Sequence, residues 1–326
     1  YKTVRINRKT GLMDSYVVNG KEMLSGGAFQ PVMYDDNADP WGWYMERIGE
    51  NPVDFVLCDG STGPFEKLTN VNVIEDGEIL TEVERNVDVI RLAYSAQDIR
   101  DHYAQGLMSA ILTIEGPAGF SFDPGLLKDL YLVGFRMTTL GWNEKNVLTG
   151  SHVTGGGLTD LGREYVTEAQ RLGMIVDVSH ISDEGFWDIM DITKAPVIAS
   201  HSNSRQVYGS SRNLTDDMFT AICRTGGVAG FNLYTEFIGK DPDLENACKH
   251  FMHFLELDPQ GQHIALGGDL DGCDHLTGGF DGIQSYPAMA QRLLDRGVGE
   301  KILENIYWNN AMGVMHRAVR HHQKEE

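Results

Sequence analysis

Histidines and carboxylates recur at the ends of short apolar runs in this chain. Asp177-Val178-Ser179-His180 closes the run at 174–178, and Ser200-His201 closes the run at 196–200. Glu115-Gly116 follows the run at 107–114, and Gly267-Gly268-Asp269-Leu270-Asp271-Gly272 ends the run at 263–268. One such histidine would read as a hydrogen-bonded core residue. Two on consecutive runs, with carboxylates closing two others, are what a Zn2+-type divalent site requires, because neutral imidazoles and carboxylate oxygens are its donors. Glu115 offers two oxygens and could bridge paired ions, which at roughly 3.5–4 Å can share a hydroxide and ready it for attack. Asp269, beside such a site, could carry a proton between that water and a leaving amine. Asp271 can also be read as turn chemistry after a strand.

Arg212 lies in Ser211-Arg212-Asn213-Leu214-Thr215-Asp216 and could hold a substrate carboxylate in a two-pronged pair. The competing reading is a surface arginine on an acidic chain. Trp142, Asn143, Asn146 and Tyr234 follow apolar runs and are candidate pocket walls, or core residues. The histidines at 102, 250, 253, 316, 321 and 322 fall in helical or tail segments and are expected to be solvated.

The elements that must present these groups alternate in type. Continuous apolar runs predict strands at 28–34, 107–114, 131–140, 174–178, 196–200, 227–234 and 263–268. Capping residues and glycine stops predict helices at 159–172, 182–191, 215–226, 281–296 and 300–321. Such alternation builds βα units around a parallel sheet. No glycine-rich phosphate fingerprint follows any strand, which favours an α/β fold of the (β/α)8 TIM-like barrel type, with reactive groups at the C-terminal strand ends. The strand count is one short of eight. Residues 35–98 are acidic and rich in helix formers. The domain expectation is therefore a single barrel over 1–326 with an outer helical insertion at about 35–98.

Composition removes several classes. With 27 basic and 47 acidic residues among 326, the net charge is −20, which repels phosphate backbones and anionic lipid. Nucleic acid is therefore not an expected partner. No apolar run approaches the roughly 20 residues of a membrane span. Cys58, Cys223, Cys248 and Cys273 are scattered and read as inert thiols rather than a disulfide framework. Few cysteines and no visible signal segment lead to a cytoplasmic expectation.

The runs Gly157-Leu158-Thr159-Asp160-Leu161-Gly162-Arg163-Glu164 and Arg171-Leu172-Gly173-Met174-Ile175-Val176-Asp177-Val178-Ser179-His180 resemble the membrane (renal) dipeptidase family, peptidase family M19. So do Ala195-Pro196-Val197-Ile198-Ala199-Ser200-His201-Ser202-Asn203-Ser204-Arg205 and Arg212-Asn213-Leu214-Thr215-Asp216. Gly226-Gly227-Val228-Ala229-Gly230-Phe231-Asn232 and the Asp269 run extend the match over about 105–315. The resemblance implies an amidohydrolase-like metal-dependent barrel. It also implies hydrolysis of dipeptides, including those with a C-terminal D-residue, through a zinc-activated hydroxide. It would make Glu115 the carboxylate bridging two Zn2+, with His180 and His201 ligating the second ion. Arg212 would bind the substrate carboxylate, and Asp269 would relay the proton. Trp142 stands where some members place a substrate-facing histidine, which bears on specificity.

One departure is larger. The family opens with a strand ending His-x-Asp, and the first histidine of this chain is His102. That strand is therefore read as missing or replaced: the motif lies upstream of the sequence, or a segment such as 3–7 takes its place. A gap in the barrel should be covered, by that segment or by a neighbouring subunit of a homodimer. Two alternatives to a dipeptidase follow. One is a catalytically impaired member binding peptides or amino-acid derivatives. The other keeps the metal site and changes the substrate to a related amide.

Overall fold

The computed structural model describes residues 83–119, 122–240, 242–270 and 272–325, with short strands at 2–6, 13–18, 21–22, 33–34 and 52–53. Contacts divide the chain into two compact units, residues 1–81 and 82–326. In the first, β1 (Lys2–Ile6), β2 (Met13–Val18) and β3 (Lys21–Glu22) form an antiparallel sheet, and β4 (Met33–Tyr34) pairs antiparallel with β5 (Pro52–Val53). The segment at 3–7 thus supplies β1, hydrogen-bonded to β2, with residue 7 outside the described residues. Of the strand expected at 28–34, only β4 falls within them.

The second unit carries the parallel strands. They are β6 (Ile90–Leu92), β7 (Met108–Ala110), β8 (Leu112–Ile114), β9 (Phe135–Thr139), β10 (Ile175–Asp177), β11 (Val197–Ile198), β12 (Ala229–Asn232) and β13 (Ile264–Gly268). β7 and β8 are one strand interrupted at Ile111. Pairing follows chain order: β6 with β7, β8 with β9, β9 with β10, β10 with β11, and β12 with β13. A parallel bridge from Ala199 to Ala229 joins the end of β11 to β12. Parallel strands in sequence order with helices between them are the (β/α)8 arrangement. Of the insertion expected at about 35–98, the described residues 83–98 contain a helical turn at 83–85, β6 and the capped start of the next helix, Ser95 accepting from Asp98 N–H at 3.2 Å. Three-residue β6 is too short to show a period in the sequence.

The helices are α1 (Ala96–Ala104), α2 (Leu127–Val133), α3 (Asp160–Arg171), α4 (Asp183–Ile192), α5 (Asp216–Thr225), α6 (Leu244–Leu257), α7 (Tyr286–Asp295), α8 (Glu300–Glu304) and α9 (Asn310–Glu325). Thr159, Ser182, Thr215 and Asp243 cap α3 to α6 by accepting from a backbone N–H three residues on. α3 buries Tyr165, Val166 and Ala169, a one-faced spacing that packs it on the sheet. α6 was anticipated only as a helical setting for His250 and His253, without bounds. Residues 131–133, expected to start a strand, instead end α2, because Gly134 with φ 126° breaks the helix just before β9. A π turn at Asn305–Asn309 interrupts the expected final helix. No described helix is long and apolar enough to cross a membrane.

Two apolar layers result. Outside the sheet, Phe219 stacks on Phe254 at 4.2 Å and Phe231 packs on Phe251 at 4.5 Å. Each buried ring contributes about 1.5–3 kcal/mol. Inside, Ile175, Ile198, Val228 and Ala265 cluster with Ile111, Met137 and with Met312 and Met315 of α9. Side chains alternate along a strand, so two residues further on the same face carries Thr139, Asp177, Ser200, Gly230 and Gly267. The barrel interior therefore turns from apolar to polar within one layer, toward the C-terminal strand ends. Gly230 is required there: a Cβ would stand 1.9 Å from the Ser200 carbonyl oxygen.

Candidate metal centre

Strand ends β10 and β11 are locked by one buried carboxylate. Asp177 accepts from Ser179 N–H and Ser200 N–H, both at 2.9 Å, and from the Ser200 hydroxyl. His180 follows with φ 69°, and Asp269 at the end of β13 has φ 61°. They are the non-glycine residues with positive φ among the described residues. Such backbone costs of order 1–3 kcal/mol and collects where a side chain must be aimed.

The aim converges. Glu115 Oε1 stands 3.0 Å from His180 Nε2 and 3.3 Å from His201 Nε2, and the two nitrogens are 3.0 Å apart. The opposite ring nitrogens are committed. His180 Nδ1 donates to Asn143 Oδ1 at 2.9 Å, and His201 Nδ1 donates to Ser200 Oγ at 2.7 Å, whose own proton goes to Asp177. Both Nε2 atoms therefore present lone pairs to a carboxylate oxygen and to each other. Burial, then the charge of Arg212, pushes the His180 pKa down and keeps the ring neutral. Three electron pairs with no proton between them repel unless a cation sits among them. Donors about 2.0–2.1 Å from one ion at tetrahedral angles stand roughly 3.3 Å apart, so this triangle fits a metal. It is the metal-competent group of three among the described residues.

Several of the other expected residues stand near it. Asp269 Oδ2 lies 4.0 Å from His201 Nε2 and accepts from Asn232 Nδ2 at 3.2 Å, and burial raises its pKa. Arg212 is not a surface residue. It is 4% exposed; its Nη1 donates to Ser202 Oγ at 2.7 Å, while Nε and Nη2 have no partner. Burial lowers its pKa to about 10, opposed by Asp177, Asp269 and Glu115. The Trp142 ring lies 6.1 Å from the His180 ring, and Tyr234 packs edge-on to Phe237 at 5.0 Å. Phe237 in turn stands 5.8 Å from the Arg212 guanidinium. Asn143 is turned to two histidines, and Asn146 is spent on its own loop, bonding Leu140 O, Leu148 N–H and Thr149 N–H. Asp271 lies outside the described residues.

A family model described as membrane dipeptidase, peptidase family M19, matches residues 66–326. The chain belongs to that family. A dipeptidase of Clonostachys rogersoniana is 31% identical over 287 residues, covering 84% of this chain and 71% of the relative. An uncharacterized dipeptidase of Schizosaccharomyces pombe is 32% identical over 255 residues, 73% of this chain. This chain spans 62% of that relative's length. A metallopeptidase from Rhodobacter sphaeroides, solved with a phosphinate mimic of L-Ala-D-Ala, superposes with a TM-score of 0.69 at 28% identity over 74% of this chain and 72% of its own. The family is one of metallopeptidases on a TIM-like barrel, and the Glu115, His180 and His201 donors suit a metal.

Some site residues escaped the sequence reading. Ser200 and Asn232 are interior strand-end residues of ordinary type. His152 sits in the loop before α3, its Nε2 2.9 Å from Asn143 Oδ1, with no motif around it. His250, expected to be solvated, is fully buried between Ser204 N–H at 3.1 Å and Ile238 O at 3.0 Å, because α6 turns that face inward.

Proposed function

We propose that this chain is a zinc-dependent dipeptidase that recognises the free carboxylate of its substrate through Arg212. The observation that carries the reading is the pairing of two unsatisfied features. Three unprotonated donors converge at Glu115, His180 and His201. Close by, a buried guanidinium keeps two atoms without a partner. A cation completes the first and a carboxylate the second. The nitrogen-rich donor set suits Zn2+. Glu115 has a second oxygen and could hold a second ion, whose other donors are not among the described residues.

When bound, the metal would polarise the scissile carbonyl and lower the pKa of water at the site. The protein's own groups do the rest. Arg212 grips the terminal carboxylate with Nε and Nη2 in one plane, fixing the distance from that carboxylate to the scissile bond. Asp269, its pKa raised by burial and its Oδ2 held by Asn232, takes a proton from water and returns it to the departing amine. Trp142, Tyr234 and Phe237 wall the pocket. A dipeptide offers a carboxylate one residue from the bond to be cut, which is the spacing such a clamp needs.

The test is elemental analysis of protein purified without chelator, alongside hydrolysis of dipeptides. Zinc in the protein together with turnover that H201A abolishes supports the reading. Zinc with peptide binding and no turnover would favour an impaired, binding-only member, and absence of zinc would overturn the metal assignment.

A further inference from the structure

We propose that His152 is a positioning residue that couples the metal ligand His180 to the loop bearing Arg212, acting through Asn143 on one side and Ser211 on the other. The proposal rests on the dipeptidase reading above. His152 lies in the loop between β9 and α3, tied to the strand-end turn by its own N–H donating to His180 O at 2.8 Å. A bridge between Ser151 and Ile181 reinforces the tie. Its ring then spans the mouth: Nε2 is 2.9 Å from Asn143 Oδ1 and Nδ1 is 3.1 Å from Ser211 Oγ. The same Asn143 oxygen is 2.9 Å from His180 Nδ1.

An amide oxygen only accepts, so both rings must bring it an N–H. For His180 this places the proton on Nδ1 and leaves the Nε2 lone pair facing Glu115 and His201. For His152 it places the proton on Nε2, so that Nδ1 accepts from the Ser211 hydroxyl. The amide orientation is the switch in this chain. Were it reversed, its NH2 would face His180 Nδ1, and the proton would move to the nitrogen meant for the metal. His152, bonded to the same oxygen, opposes that reversal, because both rings would then have to change tautomer together.

The other end is equally well anchored. Ser211 precedes Arg212, and its carbonyl accepts from Arg205 Nη2 at 2.9 Å. Arg205 is itself held by two bonds to Asp183, at 2.6 and 2.8 Å. The backbone at 211 is thus fixed, and the hydroxyl bond to His152 is the link between carboxylate recognition and the metal ligand.

Two variants separate the halves of the link. H152Q reaches Asn143 with an amide N–H but does not meet Ser211, whereas H152N meets Ser211 and falls short of Asn143. H152A loses both. Zinc affinity is measured by competition with a chromophoric chelator, KM and kcat with a dipeptide, and the His180 tautomer by histidine-selective 15N NMR of the metal-free protein. H152A and H152N are expected to bind zinc about 10-fold more weakly, the usual cost of losing an outer partner, while H152Q binds as the parent does. KM should rise about fivefold in H152A and H152Q, one neutral hydrogen bond, with kcat little changed in H152Q. His180 should carry its proton on Nδ1 in the parent and in H152Q, and lose that preference in H152A and H152N. Equal weakening of zinc in all three variants would reveal a merely structural histidine, and unchanged zinc affinity and tautomer in all three would refute the link. A parent that holds zinc but cleaves no dipeptide removes the dipeptidase reading alone, since zinc affinity and tautomer are read without turnover.

Discussion

Replacing Arg212 by methionine should make the protein more stable and a far worse enzyme. The guanidinium is buried with Nε and Nη2 unpartnered and one bond, from Nη1 to Ser202. Each buried unsatisfied group costs about 1–3 kcal/mol, and the Ser202 bond returns about 1 kcal/mol. Attraction to Asp177, Asp269 and Glu115 offsets part of the difference. The net expectation is that R212M unfolds about 1–2 kcal/mol harder than the parent, because an apolar chain of similar length fills the same space. For a unit of this size, each kcal/mol moves the midpoint by about 2–4 °C. Catalysis moves the other way. Two charge-assisted bonds to a substrate carboxylate are together worth roughly 3–6 kcal/mol, so kcat/KM should fall about 10²–10⁴-fold, mostly through KM. The assay compares a dipeptide with its C-terminal amide. The parent should discriminate strongly between them, and R212M should treat them alike. A variant that loses stability, or keeps the parent's preference for the free carboxylate, would refute the clamp and the energetic reasoning behind it.

Two further outcomes follow from neighbouring groups. D269N should lower kcat about 10²–10⁴-fold with KM and zinc content near parental values, measured by steady-state kinetics and elemental analysis; parental kcat would end the proton-relay role. His250 is buried with its pKa lowered to about 4, first by desolvation. Unfolded, it titrates near 6.5, so between those values the unfolded chain binds the extra proton and stability falls as pH falls. From pH 7 to 4 the parent should lose about 3 kcal/mol through this group, a loss missing from H250Q in denaturant titrations, and parallel profiles would contradict it.

How much was legible beforehand can be judged residue by residue. His180, His201, Glu115 and Asp269 were found because parallel strands put chemistry at their C-terminal ends, and that rule needs only an apolar run and the residue after it. Helices α3, α4 and α5 were readable because Thr159, Ser182 and Thr215 cap them and their apolar faces repeat. β6 was not, being too short to show a period, and α6 was legible only as a helical setting for His250 and His253, because it mixes buried His250 and Cys248 with charged residues.

The sequence by itself therefore determined the fold class, the family and the residue types gathered at one mouth, since those depend on local pattern and order along the chain. Tertiary structure alone decided which of these groups meet and in what protonation state. Arg212 reads as a surface residue or a clamp until burial removes its water. Asn143 reads as a pocket wall until His180 and His152 claim its oxygen. His201 becomes a lone-pair donor because Ser200 and Asp177 hold its other nitrogen. Hydrogen-bond direction depends on partners tens of residues away, and no local pattern encodes where those partners lie once the strands assemble.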